Sequence, residues 1–318
     1  MANAYTDTST ASLGTSLVQA AYDRYVEFAL RAVPLVRDVA DKRPVQQAMP
    51  GSSVVFQLYT DLAKATSPLT ETTDPDAVAL GNTTSVSVTL NEYGNAALAT
   101  RKLELFSLSD VDPAIANIIA FNMADSLDEV ALTELRGGSN VIYSANASGT
   151  VPTGTAGIGA TNTIKSADVR KAVAKLRAGK AVPRNGELYW VGIHPEVSHD
   201  LRAETGAGGW REAHVYNESG AGNLWPGTIG VYEGAMFVES PRMYSATDGA
   251  SSQKVYRTIV AGQQALAEAV AEEPHVVIGP VVDKLMRNRP MGWYGVLGFA
   301  RYREEALYRV ESGSSIAS

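Results

Sequence analysis

Alternating apolar and polar residues predict a two-stranded β-ribbon between residues 51 and 95. Each predicted strand carries apolar side chains on one face and mostly serine, threonine, asparagine or glutamine on the other. The apolar positions are Val54, Phe56, Leu58, Val86, Val88 and Leu90. Because an isolated ribbon is only marginally stable in water, another surface must cover the apolar face, and we expect a neighbouring subunit to cover part of it.

The connection between the two predicted strands is unusually long. It has roughly two dozen residues, whereas compact domains seldom tolerate more than about 12–15 without regular structure. Pro68 and Pro75 interrupt it, and it shows little periodicity. Together with the apolar face, Pro68, Leu69 and Glu71 are the candidate inter-subunit residues of this extended loop. The pattern favours an assembling protein over a self-contained enzyme.

The first fifty residues are predicted to form an arm. An apolar stripe at helical spacing predicts a helix from about residue 13 to residue 33. Residues 37–50 are charged and contain two prolines, which suits an arm better than a core element. We expect residues 1–50 to cross onto other subunits; the alternative is an ordinary N-terminal helix packed on its own domain. The candidate inter-subunit residues of the arm are Tyr22, Tyr25 and Phe28.

The clearest helical period follows the ribbon. Asp112 suits the N-cap, Pro113 suits the first helical position, and Gly137-Gly138 supply a C-terminal stop. The apolar positions are Ile115, Ile118, Ile119, Met123, Leu127, Val130, Ala131 and Leu135. The acidic residues Asp125, Asp128, Glu129 and Glu134 are expected to lie mostly on the solvent face. Some 24 residues would form a rod of roughly 36 Å.

The rest of the chain mixes helices and strands without regular alternation, which favours an α+β fold. Residues 137–163 are rich in small and polar residues and predict a surface loop. A helix capped by Ser166 would bury Val169, Ala172, Val173 and Leu176. We also predict strands at 188–193, 235–239, 255–260 and 275–278, helices at 195–204 and 262–271, a closing pair of strands at 293–299 and 303–310, and a loose tail from residue 311.

Composition narrows the class of protein. The 318 residues are 45% hydrophobic, enough for a sizeable core, and the formal charge of −7 argues against a dedicated nucleic-acid-binding protein. The absence of cysteine excludes disulfides, cysteine nucleophiles and thiolate metal sites. No apolar run approaches the ~18 residues of a membrane span, and the N-terminus lacks a signal-peptide pattern. We expect a soluble protein without membrane contact.

No pattern of catalytic or metal-binding residues emerges. His194 and His199 are five positions apart and do not form the frame of a helical zinc site, so His194-Pro195 is interpreted as a strand end followed by a helix start. The glycines at 154–159 lack the order of a nucleotide-binding loop. We therefore expect no catalytic residue, metal or cofactor. The basic helix face at 170–177 is interpreted as solvated or paired with acids on a neighbour, with nucleic-acid contact as the remaining alternative.

A series of short motifs spans most of the chain. In the ribbon they lie at 65–71, 75–76, 80 and 91–94; downstream they lie at 112–113, 135–138, 166–172, 194–197, 230, 234, 239–241 and 292–295. In order and spacing they resemble a family of major capsid proteins of tailed bacteriophages. Thr228 is a departure, because an acidic residue is expected in this turn.

The resemblance implies the fold shared by tailed-phage and herpesvirus capsids. Its parts would be an N-terminal arm (1–50), an extended hairpin loop (51–108), a peripheral domain with a long spine helix (109–165) and an axial domain (166–270); residues 271–318 could return to either domain. Copies would form hexamers and pentamers and close into an icosahedral shell around double-stranded DNA, held without sequence-specific contact. Assembly in the host cytoplasm and scaffolding, portal and cement proteins as partners are further implications.

Two other classes stay open at this point. One is the shell protein of a bacterial protein compartment, which uses a related fold. The other is a soluble enzyme in which residues 60–82 form a mobile lid.

Overall fold

The computed structural model describes residues 33–44, 53–59, 61–72, 74, 77–79, 81, 84–106, 111–204, 228–280, 285 and 287–317. Its helices are α1 (Arg101–Phe106), α2 (Val111–Leu135), α3 (Ser166–Ala178) and α4 (Pro195–Ala203). Its strands are β1 (Asp41–Pro44), β2 (Ser53–Leu58), β3 (Thr84–Thr89), β4 (Asn91–Thr100), β5 (Val141–Tyr143), β6 (Tyr189–Ile193), β7 (Thr228–Tyr232), β8 (Ala235–Glu239), β9 (Ser245–Ala246), β10 (Val255–Ala261), β11 (Leu266–Ile278), β12 (Asn288–Arg301) and β13 (Leu307–Ser312). The predicted α+β class is confirmed.

A seven-stranded mixed sheet forms one part of the molecule. Its order is β5-β13-β10-β6-β8-β7, with β9 added beside β10. All five residues of β6 are buried, because α3 and α4 cover one face and α2 packs against the other. Trp190 belongs to the core on the α2 side, whereas Tyr189 and Val191 belong to the core under α3 and α4. A strand that is covered on both faces has a continuous apolar run in its sequence, as β6 does.

A four-stranded sheet in the order β1-β11-β12-β4 forms the other part. Helix α2 lies on it, and Trp293 of β12 donates a 2.9 Å hydrogen bond from Nε1 to Oδ1 of Asn122. Leu127 of α2, Trp293 and Leu297 share one hydrophobic cluster with Trp190 of the larger sheet. The long helix therefore joins the two sheets through a continuous core.

Helix α2 corrects three sequence predictions. It begins at Val111, so Asp112 lies in the first turn and not at the N-cap. Ile118, predicted on the apolar stripe, is 51% exposed, whereas Asp128, predicted mostly for solvent, is fully buried. The helix end is as predicted, with Gly138 at φ +94. Arginine side chains from the end of the chain satisfy its last carbonyl groups, as Arg301 does for Glu134 (3.2 Å).

The predicted helix at 262–271 is wrong, because Leu266 begins strand β11. Alanine favours helices, but β1 and β12 pair with β11 along both of its edges and fix it as a central strand. Its side chains alternate accordingly. Ala267 and Ala269 lie under the ribbon, while Leu266 and Val270 join the core with α2.

The end of the chain also differs from the prediction. β12 and β13 do not pair with each other, because β12 belongs to the four-stranded sheet and β13 to the seven-stranded one. The tail is not loose: Glu311 and Ser312 are buried, and the Ser315 amide donates a 2.8 Å hydrogen bond to Asp200. The predicted loop at 137–163 contains β5, which pairs with β13 in parallel.

The helix α3 is as predicted in its buried positions: Val169, Ala172, Val173 and Leu176 all lie in the core. The cap lies one residue earlier than expected, since the Asp168 carboxylate accepts a 3.2 Å hydrogen bond from the Lys165 amide. Ser166 instead donates its hydroxyl hydrogen to Glu204 at 2.5 Å.

Candidate assembly surface

Strands β2 and β3 form the predicted antiparallel ribbon, in which Val54 faces Val88 and Phe56 faces Val86. We call these paired strands the ribbon root. Phe56 and Val88 are buried against Ala267 and Ala269 of the four-stranded sheet, and the other four apolar positions, Val54, Leu58, Val86 and Leu90, are partly buried there. The Phe56 ring meets Tyr302 edge-on, with ring centroids 5.8 Å apart.

This contact changes the role expected for the apolar face. The prediction that one face is apolar and covered is confirmed, but the cover is supplied by the same chain. Phe56 and Val88 therefore have almost no surface left for a neighbouring subunit. Val54, Leu58, Val86 and Leu90 keep partial exposure and stay candidate inter-subunit residues.

A glycine allows the ribbon root to lie this close to the sheet. A Cβ atom at Gly298 of β12 would overlap the carbonyl oxygen of Thr89 and approach Val88 Cγ1 to 3.0 Å. The Thr89 oxygen belongs to the backbone of β3, so it cannot move away as the end of a flexible side chain could. The close approach of the ribbon root therefore requires glycine at position 298. The backbone conformation there does not by itself require glycine.

The residues between β2 and β3 have a different environment, and we call the segment 61–81 the ribbon tip. Every described tip residue is exposed, and none belongs to a helix or strand. The candidate residues Pro68, Leu69 and Glu71 lie here, with Leu69 77% exposed. Leu62 and Val78 are also large apolar side chains in solvent. The tip offers contact area that the subunit itself does not use.

The segment 33–44, predicted as part of an inter-subunit arm, packs in its own chain, and this corrects the prediction for these residues. Leu35, Val36, Val39 and Ala40 are buried in the cluster that contains α2. Strand β1 then pairs with β11. The arm candidates Tyr22, Tyr25 and Phe28 lie outside the described residues.

Asp128 of α2 holds this segment in place. Its Oδ1 accepts hydrogen bonds from the amides of Val36 (2.6 Å) and Arg37 (2.9 Å), and its Oδ2 accepts one from Arg242 (3.0 Å). Burial raises the pKa of Asp128, and the two backbone hydrogen bonds act in the opposite direction. Burial also lowers the pKa of Arg242.

Two more ion pairs fix the same segment. Arg37 pairs with the fully buried Glu268 of β11 at 2.5 Å. Asp41 pairs with Arg184 at 3.2 Å and accepts a 2.6 Å hydrogen bond from the Gln264 amide. Each partner is more than 90 residues away along the chain. The contacts of Asp128, Glu268 and Asp41 were therefore not predicted, because no local sequence pattern marks them.

Other exposed apolar side chains lie at the far end of the four-stranded sheet. Val276, Val277 and Ile278 of β11 and Leu98 of β4 are substantially exposed there. Sequence analysis predicted a strand at 275–278 but not that its residues would face solvent. Consecutive residues of a strand point to opposite faces of the sheet, so Val276 and Ile278 lie on one face and Val277 on the other.

The residues considered for chemistry have local structural roles. His194 accepts a 3.2 Å hydrogen bond from the Glu196 amide and so caps α4, as the interpretation of His194-Pro195 predicted. Burial lowers its pKa. Among the described residues, no three acidic or histidine side chains are arranged to hold a metal ion. No helix in the described part of the chain is long and apolar enough to cross a membrane.

The fold of the chain matches that of solved phage capsid structures over nearly its whole length. The capsid of cyanophage Pam1 has 16% identity and a TM-score of 0.72, covering 97% of this chain and 100% of that one. The capsid of Helicobacter pylori bacteriophage KHP30 has 13% identity and a TM-score of 0.73, covering 98% and 99%. The capsid of Ralstonia phage GP4 has 14% identity and a TM-score of 0.72, covering 96% and 98%.

Residues 8–314 match the family described as phage capsid protein, and the chain belongs to that family. No curated protein sequence matches the chain. The predicted resemblance is confirmed. The protein has the structural role of a major capsid protein and is a component of the virion capsid, and the bacterial-compartment and enzyme alternatives are not favoured.

Proposed function

We propose that copies of this chain form hexamers and pentamers that close into an icosahedral shell around double-stranded DNA, with the ribbon tip as a principal contact between subunits. The observation that carries this proposal is the contrast within one hairpin. The ribbon root is buried in its own chain, whereas every described residue of the tip is exposed. In a shell protein, such a projection is suited to reach an adjacent copy.

The energetic case rests on the apolar side chains of the tip. Complete burial of a leucine or valine side chain is worth about 1.5–3 kcal/mol. Leu62, Leu69 and Val78 are all more than half exposed in the subunit. Even partial burial of these residues, repeated at every subunit of a capsomer, would favour assembly. The four half-covered positions of the ribbon root, Val54, Leu58, Val86 and Leu90, extend the proposed contact.

The sheets support a revised division into domains. We assign the four-stranded sheet and α2 to the peripheral domain and the seven-stranded sheet with α3 and α4 to the axial domain. Strand β4, placed in the extended loop by sequence, pairs with β12 and goes with the peripheral domain. The chain would pass between the domains near residues 302–306, where β12 ends and β13 begins.

The partners follow from charge and from the family. A chain of net charge −7 is suited to enclose DNA by confinement, without a sequence-specific contact. Assembly in the host cytoplasm, together with scaffolding, portal and cement proteins, completes the proposal. The arm residues Tyr22, Tyr25 and Phe28 are proposed as further inter-subunit contacts.

Shortening the tip tests its role in assembly. Replacing residues 63–79 by a tight Asn-Gly turn should leave a folded subunit, because the described tip residues have no core contact. Circular dichroism should be near normal, while negative-stain microscopy should show few closed shells. Normal, stable shells would refute the assembly role, and global unfolding would show that the tip belongs to the subunit core.

A second variant separates the length of the tip from its apolar side chains. Replacing Leu62, Leu69 and Val78 by serine keeps the tip at full length. We expect it to reduce shell yield less than the shortened turn does, and to leave the thermal unfolding of the subunit unchanged. Normal yield from this variant, with none from the shortened one, would assign the contact to the backbone and polar side chains.

A further inference from the structure

Positive charge is concentrated on the exposed side of α3 and on the turn that follows it. Residues 165–180 carry six lysines and arginines and one acid, a local charge of +5 in a chain of −7, which leaves −12 on the other residues. We define the basic face as Lys171, Lys175, Arg177 and Lys180, all of them exposed. The same chain therefore bears a concentrated positive surface and an acidic remainder.

In the part of the chain that the structure describes, the charges of the basic face form no ion pair. Arg170, at its border, pairs with Glu233 at 3.1 Å, and Lys175 lies 5.6 Å from the ring centroid of Tyr308. None of the four basic-face residues forms an ion pair with any residue that the structure describes. Burial raises the pKa of Asp168 and the Lys171 ammonium acts to lower it, so part of the positive charge is balanced within the subunit and the rest is available to a partner.

The helix dipole explains only part of this concentration of positive charge. Cations in the last turn of a helix are favoured by the helix dipole, which covers Lys175 and Arg177. Lys171 lies in the middle of α3, four residues before Lys175, and like charges at this spacing destabilise a helix.

Lys180 adds a second, independent observation. Its amide and that of Ala181 each donate a 3.0 Å hydrogen bond, to the carbonyl groups of Arg177 and Leu176 respectively, the pattern of a Schellman helix end. Lys180 has φ 58, a left-handed conformation for which glycine is the favoured residue. A lysine is therefore held where its backbone is strained, which points to a use for its side chain.

We propose that the basic face binds an acidic surface on a second copy of this chain in the assembled shell. Charge complementarity selects this partner, because the remainder of each copy carries −12. This inference rests on the proposed function, in which identical copies of the chain lie side by side in a shell. Contact with the phosphates of DNA is the competing use of the same face, and the experiments below distinguish the two.

Zero-length cross-linking tests the partner directly. Shells assembled from a mixture of unlabelled and ¹⁵N-labelled chains are treated with a carbodiimide, which joins lysines to carboxylates in contact. Mass spectrometry should find Lys171, Lys175 or Lys180 joined to aspartate or glutamate in pairs of one light and one heavy chain. The absence of such mixed pairs at these lysines overturns the proposal.

Charge reversal tests the need for the face. The double variant Lys171→Glu, Lys175→Glu should remain folded and give about tenfold fewer shells, because like charges would then meet across the contact. Lys102→Glu makes a similar change on the exposed side of α1 and should assemble normally. Normal assembly of the double variant overturns the proposal, and loss of binding to double-stranded DNA at low salt in that same case would assign the face to nucleic acid.

The variant Lys180→Gly distinguishes a role of the Lys180 side chain in assembly from a role in the stability of the subunit. Glycine relieves the left-handed backbone, so the subunit should melt at a higher temperature, while shell yield should fall because the side chain is lost. Ser252→Gly is the matched control, since Ser252 has φ 60 away from α3 and should gain stability without losing assembly. A stabilised Lys180→Gly subunit that assembles as well as the unchanged chain contradicts the proposal.

Discussion

Two segments of this protein have similar composition and opposite environments. Residues 33–44 and the ribbon tip are both charged and contain proline, and both are predicted from sequence to serve assembly. The first is packed in the subunit core, with Val36 and Val39 fully buried. The second is exposed at every described position.

The difference lies in partners that are distant along the chain. Arg37 and Asp41 look like surface charges in the sequence, but Glu268 and Arg184 pair with them, and Asp128 accepts hydrogen bonds from the backbone beside them. The tip has no such partners among the described residues. Charge and proline content therefore do not distinguish a segment that packs in the subunit from one that stays exposed.

The largest expected effect concerns the carboxylate that anchors residues 33–44. Asp128→Ala leaves the amides of Val36 and Arg37 without their acceptor and removes one partner of the buried Arg242. Removing one member of a buried charged network costs about 3 kcal/mol or more. Urea denaturation should show this loss in the free energy of unfolding.

Asp125 provides the matched control for that variant. It pairs with the same Arg242, but its side chain is 40% exposed and accepts no backbone hydrogen bond from residues 33–44. Asp125→Ala should cost less than about 1 kcal/mol, as exposed ion pairs usually do. Equal losses from the two variants would mean that Asp128 does not anchor the segment.

A smaller effect is expected at the ribbon root, which packs closely on the sheet, unlike the exposed tip. Gly298→Ala places a methyl group against the Thr89 carbonyl and must lift β3 from the sheet. Overpacking of this kind costs about 1–3 kcal/mol. Thermal unfolding would measure it, and the ribbon should become more accessible to protease.

Gly154 is the comparison for this substitution. A Cβ atom there meets no heavy atom within 4 Å, and its φ of −169 is ordinary extended backbone. Gly154→Ala should leave both the unfolding temperature and the protease pattern unchanged. If Gly298→Ala were equally silent, the ribbon root would not be held by this contact.

Sequence periodicity predicted the elements whose partners are local or whose pattern is strong. The ribbon faces, the buried side of α3, strand β8 and the start of α4 were all predicted from local sequence patterns. These elements are specified by alternation, helical period or a cap within a few residues. Their prediction did not require knowledge of the rest of the fold.

Elements that depend on distant strands were predicted wrongly. Strand β11 is alanine-rich where helix was expected, and it is fixed by pairing with β1 and β12. The tail after residue 311 is held by Asp200 and by β10, neither of which can be read from the tail itself. The assembly role of the ribbon tip stays a prediction: the described tip residues are exposed, and the exposed apolar residues at the end of β11 were not foreseen.

The smallest effect concerns His194, whose role is local and was predicted from sequence. Burial lowers its pKa from an ordinary value of 6.5, with the acids Glu196 and Glu239 opposing and Lys254 assisting that shift, and Tyr256 packs against the ring. The unfolded chain therefore binds a proton more readily than the folded one, and the subunit should lose stability as pH falls below about 6.5. Protonation also removes the acceptor that caps α4. His194→Asn keeps a capping oxygen without a titrating group, so its unfolding free energy should vary less between pH 7.5 and pH 5.5, as denaturant titrations at each pH would show. An unchanged pH dependence in that variant would assign the acid sensitivity to other groups and leave His194 as a cap alone.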